Sequence, residues 1–370
     1  MRKTYKFKLY KSKKNKYLHG QIDLGNQIYN HFIAVHKRYF RLYKKYPSAF
    51  TMNKHLTKLK KLKRFSHWKF FPSQAAQNII ERIDFGYKKF FRKENLRPPA
   101  FRARRKAKSF TLKQAGWKLL EGNRVKIGNR TFKYSKSQEV QGVIKTVTIK
   151  RDPLGDVSIF FSCLLSDEEV SQTKTGKIAG FDFGLKTFLT SSEGNSIESP
   201  LFYKQGMKDL KKAQRNLSSK KKGSHNRKKA RLALARVHKK VSNQRENHHF
   251  QLAKELATAY EVICIEDLNL KGMVKLWGRK VNDLAFGDFV KTLEWQCQKY
   301  GSKLIKIDRF YPSSKTCSSC YHLYEDLELI ERSWKCDKCN TEHDRDCNAA
   351  LNIKRVGMST LAGEDVRLAC

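Results

Sequence analysis

Four cysteines constrain this chain more than any other feature. Cys317 and Cys320, then Cys336 and Cys339, stand in a C-x2-C-x15-C-x2-C pattern. Two such pairs meeting across a hairpin present four thiolates at tetrahedral corners, the arrangement of a zinc ribbon. A segment this short has too small a core to fold alone, so bound zinc must supply the ordering energy, on the order of 10–16 kcal/mol. With all four corners sulfur, no position is left for water, and the expected zinc is structural. His343, just beyond the last cysteine, is an alternative to one of the sulfurs.

The second cysteine pair runs directly into a different chemistry. The stretch CDKCNTEHDRDCNAALN carries Asp344 and Asp346 at the start of a predicted helix. Carboxylates suit a hard ion such as Mg²⁺, which takes oxygen ligands in near-octahedral geometry. A phosphodiester-cleaving site therefore needs acids gathered from several elements. Asp182 ends the apolar stretch IAGFD, and Glu266 ends EVICIE. A charge placed directly after a buried strand is costly to desolvate unless something pairs with it. Alone, Asp182 reads as a turn former and Glu266 as a cap. Together with an aspartate at a helix start, they form the donor set that divalent-metal chemistry requires.

The charge identifies the class of partner. Lys and Arg number 78 against 34 Asp and Glu, a formal net charge of +44. Basic runs extend from Arg2 to Arg355, so the excess is not one local patch. Such a surface repels itself unless a polyanion neutralises it, which points to nucleic acid. No stretch approaches the roughly 20 apolar residues of a membrane span, and nothing after Met1 resembles a signal peptide. The cysteines, nine in number, favour a reducing compartment and a metal over disulfides. These features predict a soluble, cytoplasmic protein with no membrane partner.

Hydrophobic period divides the chain. TYKFKLY reads as a short strand, and Leu18, Ile22, Ile28, Phe32, Val35 and Tyr39 mark a helical stripe. PSQAAQNIIERIDFGYKKFF predicts a second helix capped by Ser73, with Ala76, Ile80, Ile83, Tyr87 and Phe90 along one face. RPPAFRARRKAKSF interrupts that pattern. GVIKTVTIKR, the turn DPLG and DVSIFFSCLL then predict a small antiparallel sheet or barrel between 101 and 168 that can recruit the N-terminal strand. SDEEVSQTKTGK reads as a polar linker, and the pattern after it is α/β. Residues 204–248 hold sixteen Lys or Arg and only two acids, Asp209 and Glu246. Their sparse apolar seam predicts two basic helices broken near KKKGSHN and facing a nucleic acid.

GFDFGLKTFLT, CIEDLNLKGM, FYPSSKTCSSC and HDRDCNAALNI occur in that order, with the cysteine ribbon between the second acid and the third. These motifs resemble the RuvC motifs and zinc insertion of the TnpB family, RNA-guided DNA nucleases of bacterial insertion sequences related to type V CRISPR effectors. The likeness extends over most of the chain, including PSQAAQNIIERID and GVIKTVTIKRD. It implies an α/β RNase H-like RuvC nuclease domain over 171–311 and 341–370, with the zinc ribbon inserted at 312–340 as a target-binding element. It also implies a wedge-like β-barrel from 1–10 and 101–170, carrying an inserted helical recognition domain at 11–100.

The same resemblance implies a catalytic triad of Asp182, Glu266 and Asp346, the last chosen over Asp344 because it stands two residues before the asparagine of D-x-N-A-A. Asp344 would cap the helix or support the site, as would Asn348. The triad would hold two Mg²⁺ ions roughly 3.5–4 Å apart, one activating water and one neutralising the leaving 3′ oxygen. A guide RNA from the transposon end would direct a monomer to double-stranded DNA beside a short flanking motif. The setting implied is bacterial or archaeal and nucleoid-associated.

Rivals are a transposase of the same fold that joins strands, and a guided DNA-binding protein that does not cut. The second should have lost triad carboxylates. A ribosome-associated zinc-ribbon protein would explain charge and cysteines but leave Asp182 and Glu266 idle. The chain departs from the family at Tyr321 and Asn340, where glycine usually follows each cysteine pair. Asparagine tolerates the left-handed backbone of a knuckle and tyrosine does so poorly, which bears on the first knuckle's turn and not on its metal.

Overall fold

The computed structural model describes residues 2–166, 175–269, 272–273, 278, 281, 283–328 and 330–363. It divides into two compact units, Met1–Asp167 and Glu168–Cys370.

The first unit is built on a barrel-like antiparallel sheet. Its strands are β1 (Arg2–Leu9), β2 (Ser109–Leu112), β3 (Trp117–Leu120), β4 (Arg124–Ile127), β5 (Arg130–Ser135), β6 (Val143–Arg151) and β7 (Val157–Leu164), in the order β2-β6-β7-β1-β5-β4-β3. β1 lies between β7 and β5 because its period of two is strict: Tyr5, Phe7 and Leu9 are buried while Lys6 and Lys8 face outward. Between β1 and β2 the chain leaves the sheet to form α1 (Asn15–Tyr43), α2 (Ala49–Lys61), a 3₁₀ segment (Lys63–Phe70) and α3 (Ser73–Phe91). Leu18, Ile22, Ile28 and Phe32 of α1 and Ala76, Ile80 and Ile83 of α3 share one core with the strands. Ser73 is the first helical residue of α3 and makes no capping bond; Pro72 stands at the cap position instead. Proline's fixed φ suits a helix entry, whereas a capping hydroxyl must precede the first turn.

The second unit carries a mixed five-stranded sheet. Its strands are β8 (Ile178–Phe183), β9 (Thr187–Ser191), β10 (Ser196–Glu198), β11 (Val262–Glu266) and β12 (Lys303–Ile307), in the order β10-β9-β8-β11-β12. β8, β9 and β10 form an antiparallel meander, while β8, β11 and β12 run parallel. This is the RNase H-like arrangement, with crossovers supplied by helices. The helices are α4 (Phe202–Ser218), α5 (His225–Ala259), α6 (Phe286–Tyr300) and α7 (Arg345–Ala362). Leu252, Ala253 and Leu256 of α5 and Phe286, Phe289 and Leu293 of α6 cover one sheet face. Ile353 and Val356 of α7 cover the other. A small hairpin, β13 (Ser333–Lys335) with β14 (Glu342–Asp344), leads straight into α7.

The predicted break between two basic helices falls between α4 and α5. Most of the predicted polar linker, residues 167–174, lies outside the described residues. No helix of the described residues is long and apolar enough to cross a membrane.

Candidate metal centres

Strand alternation sorts the acids onto one side of the sheet. Cys264 pairs with Gly180 and Ile265 with Phe181 in the β8–β11 ladder, so the next rung sets Asp182 beside Glu266. Ala179, Phe181, Ile263 and Ile265 pack toward α5 and α6. Ile178, Val262 and Cys264 pack toward α7. By the same alternation Asp182 and Glu266 belong to the α7 side.

Two glycines let α7 lie against that side. A Cβ on Gly180 would run into the Ala350 carbonyl and stand 2.5 Å from the Lys354 nitrogen. One on Gly357 would run into the Cys264 sulfur and stand 2.7 Å from its Cβ. From the Gly180 contact, Asp182 is two residues along β8, about 6.6 Å. Asp346 is four residues before Ala350, about 6 Å of helix rise. The matched steps bring the first turn of α7 to the end of β8. Asp344 precedes that turn as its N-cap, its Oδ1 accepting from the Cys347 N–H at 2.8 Å.

The electrostatics register this gathering. Burial pushes Asp182 up to about 7; the Asp346 carboxylate adds to the rise, and Arg345 and Arg332 oppose it. Glu266 is likewise pushed up to about 7, first by burial and then by the charges of Asp182 and Asp267. Asp346 thus acts on Asp182, and Asp182 in turn acts on Glu266. Ligand carboxylates need no raised pKa in principle, yet these two have one, because the fold desolvates them beside one another. Such mutually repelling hard donors are what a divalent cation stabilises, so Asp182 and Glu266 suit Mg²⁺ by their chemistry. Among the described residues the four cysteines, and not the three acids, form a close cluster of metal-ligating side chains.

The sulfur site is assembled by local turns instead. The four ligand atoms of Cys317, Cys320, Cys336 and Cys339 all lie within 4.8 Å of one another, a set that fits a structural zinc. Both knuckles have the same backbone bonds. Cys317 N–H donates to His322 and Tyr321 N–H to Cys317, as Cys336 N–H does to Thr341 and Asn340 N–H to Cys336, all at 2.9 Å. Tyr321 adopts φ 66° and Asn340 φ 59°. The first knuckle therefore closes normally despite its tyrosine, at a backbone strain of about 1–2 kcal/mol. His343 Nε2 approaches Cys317 Sγ at 3.0 Å and stands outside the four-sulfur set, as a neighbour of one ligand.

Asn348 sits elsewhere than expected. Its Nδ2 donates to the Thr316 carbonyl at 2.8 Å and its Oδ1 accepts from Ser318 N–H at 2.9 Å. It holds the first knuckle to α7, and Asn352 does the same through Thr316 at 2.6 Å and Ser313 at 2.9 Å. Two cations escaped the sequence reading. Arg332, on the ribbon, donates to both oxygens of Asp346 at 3.0 and 3.3 Å. Arg355, on α7, lies over the Tyr321 ring at 3.8 Å. No periodicity marks either pairing; for Arg332, the only local signal is a basic residue just before a strand that returns to the acids.

The basic helices leave their charge in solvent. Lys208, Lys211, Lys212 and Arg215 on α4 and Lys228, Lys229 and Arg231 on α5 are exposed. The buried Asp283 carboxylate accepts from Tyr203 and Lys204 N–H at 2.9 and 3.2 Å, and so caps α4.

Residues 161–276 match the OrfB_IS605 family, described as "Probable transposase". Residues 286–353 match the Cas12f1-like TNB domain. A Streptomyces pristinaespiralis protein named "Putative RNA-guided DNA endonuclease" is 32% identical over 319 residues, 84% of this chain and 78% of that protein. "TnpB-like protein L79" of Acanthamoeba polyphaga mimivirus is 30% identical over 247 residues, 61% of this chain and 46% of that protein. A solved structure described as "Cryo-EM structure of the Cas12f1-sgRNA-target DNA complex" matches with TM-score 0.60 at 14% identity, over 96% of this chain and 98% of that one. At that identity the likeness speaks for the fold.

Proposed function

Because the chain belongs to the TnpB family of RNA-guided DNA endonucleases, we propose that it cuts DNA where β8, β11 and α7 gather Asp182, Glu266 and Asp346. The observation that carries this reading is the pair of strand-end carboxylates one rung beyond the Phe181–Ile265 pair, both pushed up to about 7 by burial and by neighbouring acids. Asp182, Glu266 and Asp346 would hold Mg²⁺, which would supply an activated water and charge neutralisation at the leaving oxygen. The protein's own part is to hold three hard donors on separate elements, so that no single loop movement disperses them. Asp344 fixes the start of α7 and with it the direction of Asp346. The four thiolates hold a structural zinc and take no part in hydrolysis.

The exposed cations of α4 and α5 suit a phosphate backbone without reading its sequence. We assign target choice to base pairing with a guide RNA from the transposon end, bound by a single copy of the chain. The sheet of the first unit acts as a wedge and its inserted helices as the element that reads the flanking DNA. The test is cleavage of a plasmid pool by the protein with its copurified RNA, comparing wild type with Asp182→Ala and Glu266→Ala. Retained cutting in either variant would rule out the assigned triad. Joining of transposon ends by the wild type would favour a transposase instead.

A further inference from the structure

One face of α7 is given over to the zinc ribbon. Arg345 Nη1 donates to the Glu328 carbonyl at 3.0 Å, and its backbone N–H donates to the Arg332 carbonyl at 2.7 Å. Asn348 and Asn352 grip the Thr316 carbonyl. Arg355 stacks on Tyr321 and donates to the Tyr311 hydroxyl at 2.7 Å. Positions 345, 348, 352 and 355 are spaced by three and four residues, which is a single helical stripe. Asp346 is the next residue after the stripe's first member, and the docked ribbon lays Arg332 on it.

Tyr321 stands out in this stripe. Its φ of 66° suits glycine, and its partly exposed side chain is not needed for the zinc turn, since Asn340 closes the second knuckle in the same way without a ring. Backbone strain persists where surrounding contacts over-determine it. The contact here is the Arg355 guanidinium, which meets a ring face and a phenol, with no carboxylate of the described residues in ion-pair range.

We infer that Tyr321 and Arg355 form a clamp that fixes the zinc ribbon on the catalytic helix and so keeps Arg332 registered on Asp346. Both are positioning residues. The inference rests on the nuclease reading for its consequence and on the stripe alone for its geometry. Tyr321→Gly separates the two functions of the position: it relieves the backbone and removes the ring. The expected result is zinc retained as well as in wild type or better, together with a several-fold slower cleavage at saturating Mg²⁺. Tyr321→Phe keeps the ring and should match wild type.

Arg355→Gln, which also loses the Tyr311 bond, should slow cleavage at least as much, and the double variant should be no slower than Arg355→Gln alone, because the Tyr321–Arg355 contact is already gone. Exchange of the Ser318 amide, which bonds Asn348, should accelerate roughly tenfold in Tyr321→Gly and not in Tyr321→Phe. A Tyr321→Gly protein with wild-type cleavage and wild-type Ser318 exchange would overturn the clamp, as would slowing that merely follows zinc loss. The exchange measurement reads the clamp even in a protein that does not cut. Loss of the nuclease reading would appear separately, as cutting by Asp182→Ala or none by the wild type.

Discussion

The second unit contains two polar clusters that achieve opposite electrostatic results. The four cysteine sulfurs converge through two short turns that repeat the same hydrogen bonds. The acids approach one another through tertiary packing: one end of a parallel ladder and a helix resting on Gly180. The sulfur cluster is a device for ordering a segment with little core of its own. The acidic cluster sets like charges against each other in a desolvated place, and its own geometry opposes folding. On the proposed reading, the first site would draw on metal binding for structure and the second would hold unfavourable charge for chemistry.

That contrast is most sharply tested by removing one carboxylate. Asp182→Ala or Glu266→Ala should lower cleavage by roughly three orders of magnitude or more while RNA copurifies as before. Measured rates within tenfold of wild type would place the chemistry elsewhere. Removing a sulfur should act on structure instead. Cys317→Ser or Cys336→Ser should release zinc and open residues 317–339, read by zinc content and by amide exchange. Full zinc content in both would dissolve the distinction between the two clusters.

The third test turns on pH. Asp182 and Glu266 are each pushed up to about 7 in the folded protein, against about 4 in an unfolded chain. Between those values the folded state holds protons that the unfolded state has released. Their favourable contribution is therefore complete below about pH 4 and is lost as pH rises through about 7. With zinc kept bound and Mg²⁺ withheld, the melting temperature should fall by several degrees across that window and recover on adding Mg²⁺ at pH 8. Asp182→Asn should flatten the fall while abolishing cleavage. A melting temperature that rises with pH over this range would contradict the desolvated pair.

Legibility in sequence followed the same division. The cysteines lie in one short stretch, so spacing alone identified their cluster. Asp182 and Glu266 were readable as strand-end charges, but which rung faced which followed only from the ladder. The RuvC resemblance supplied the choice of Asp346. Helix α2 and the 3₁₀ turn after it were passed over, since Met52, Leu56 and Leu59 are sparse among lysines and the segment's burial comes from α3. Tyr321 reads as a poor fit to its knuckle; it occupies the left-handed turn that the knuckle's backbone bonds close, with its ring against Arg355, 34 residues on. Sequence separation hides such partners even when each residue is conspicuous by itself.

The smallest predicted effect separates two neighbouring aspartates. Asp344 is exposed and bonds the Cys347 N–H, while Asp346 is half-buried, raises Asp182 and accepts two bonds from Arg332. Loss of an N-cap carboxylate costs about 1 kcal/mol, because one helix-end N–H returns to water. Asp344→Ala should therefore lower the melting temperature by a few degrees at most and leave cleavage within a few-fold. Asp344→Ser restores a capping oxygen and should recover most of that loss, since a hydroxyl accepts the same bond. If Asp344→Ala instead abolished cutting while Asp346→Ala retained it, the ligand would lie at the cap. The matched rises of β8 and α7 would then have brought the wrong residue to Asp182.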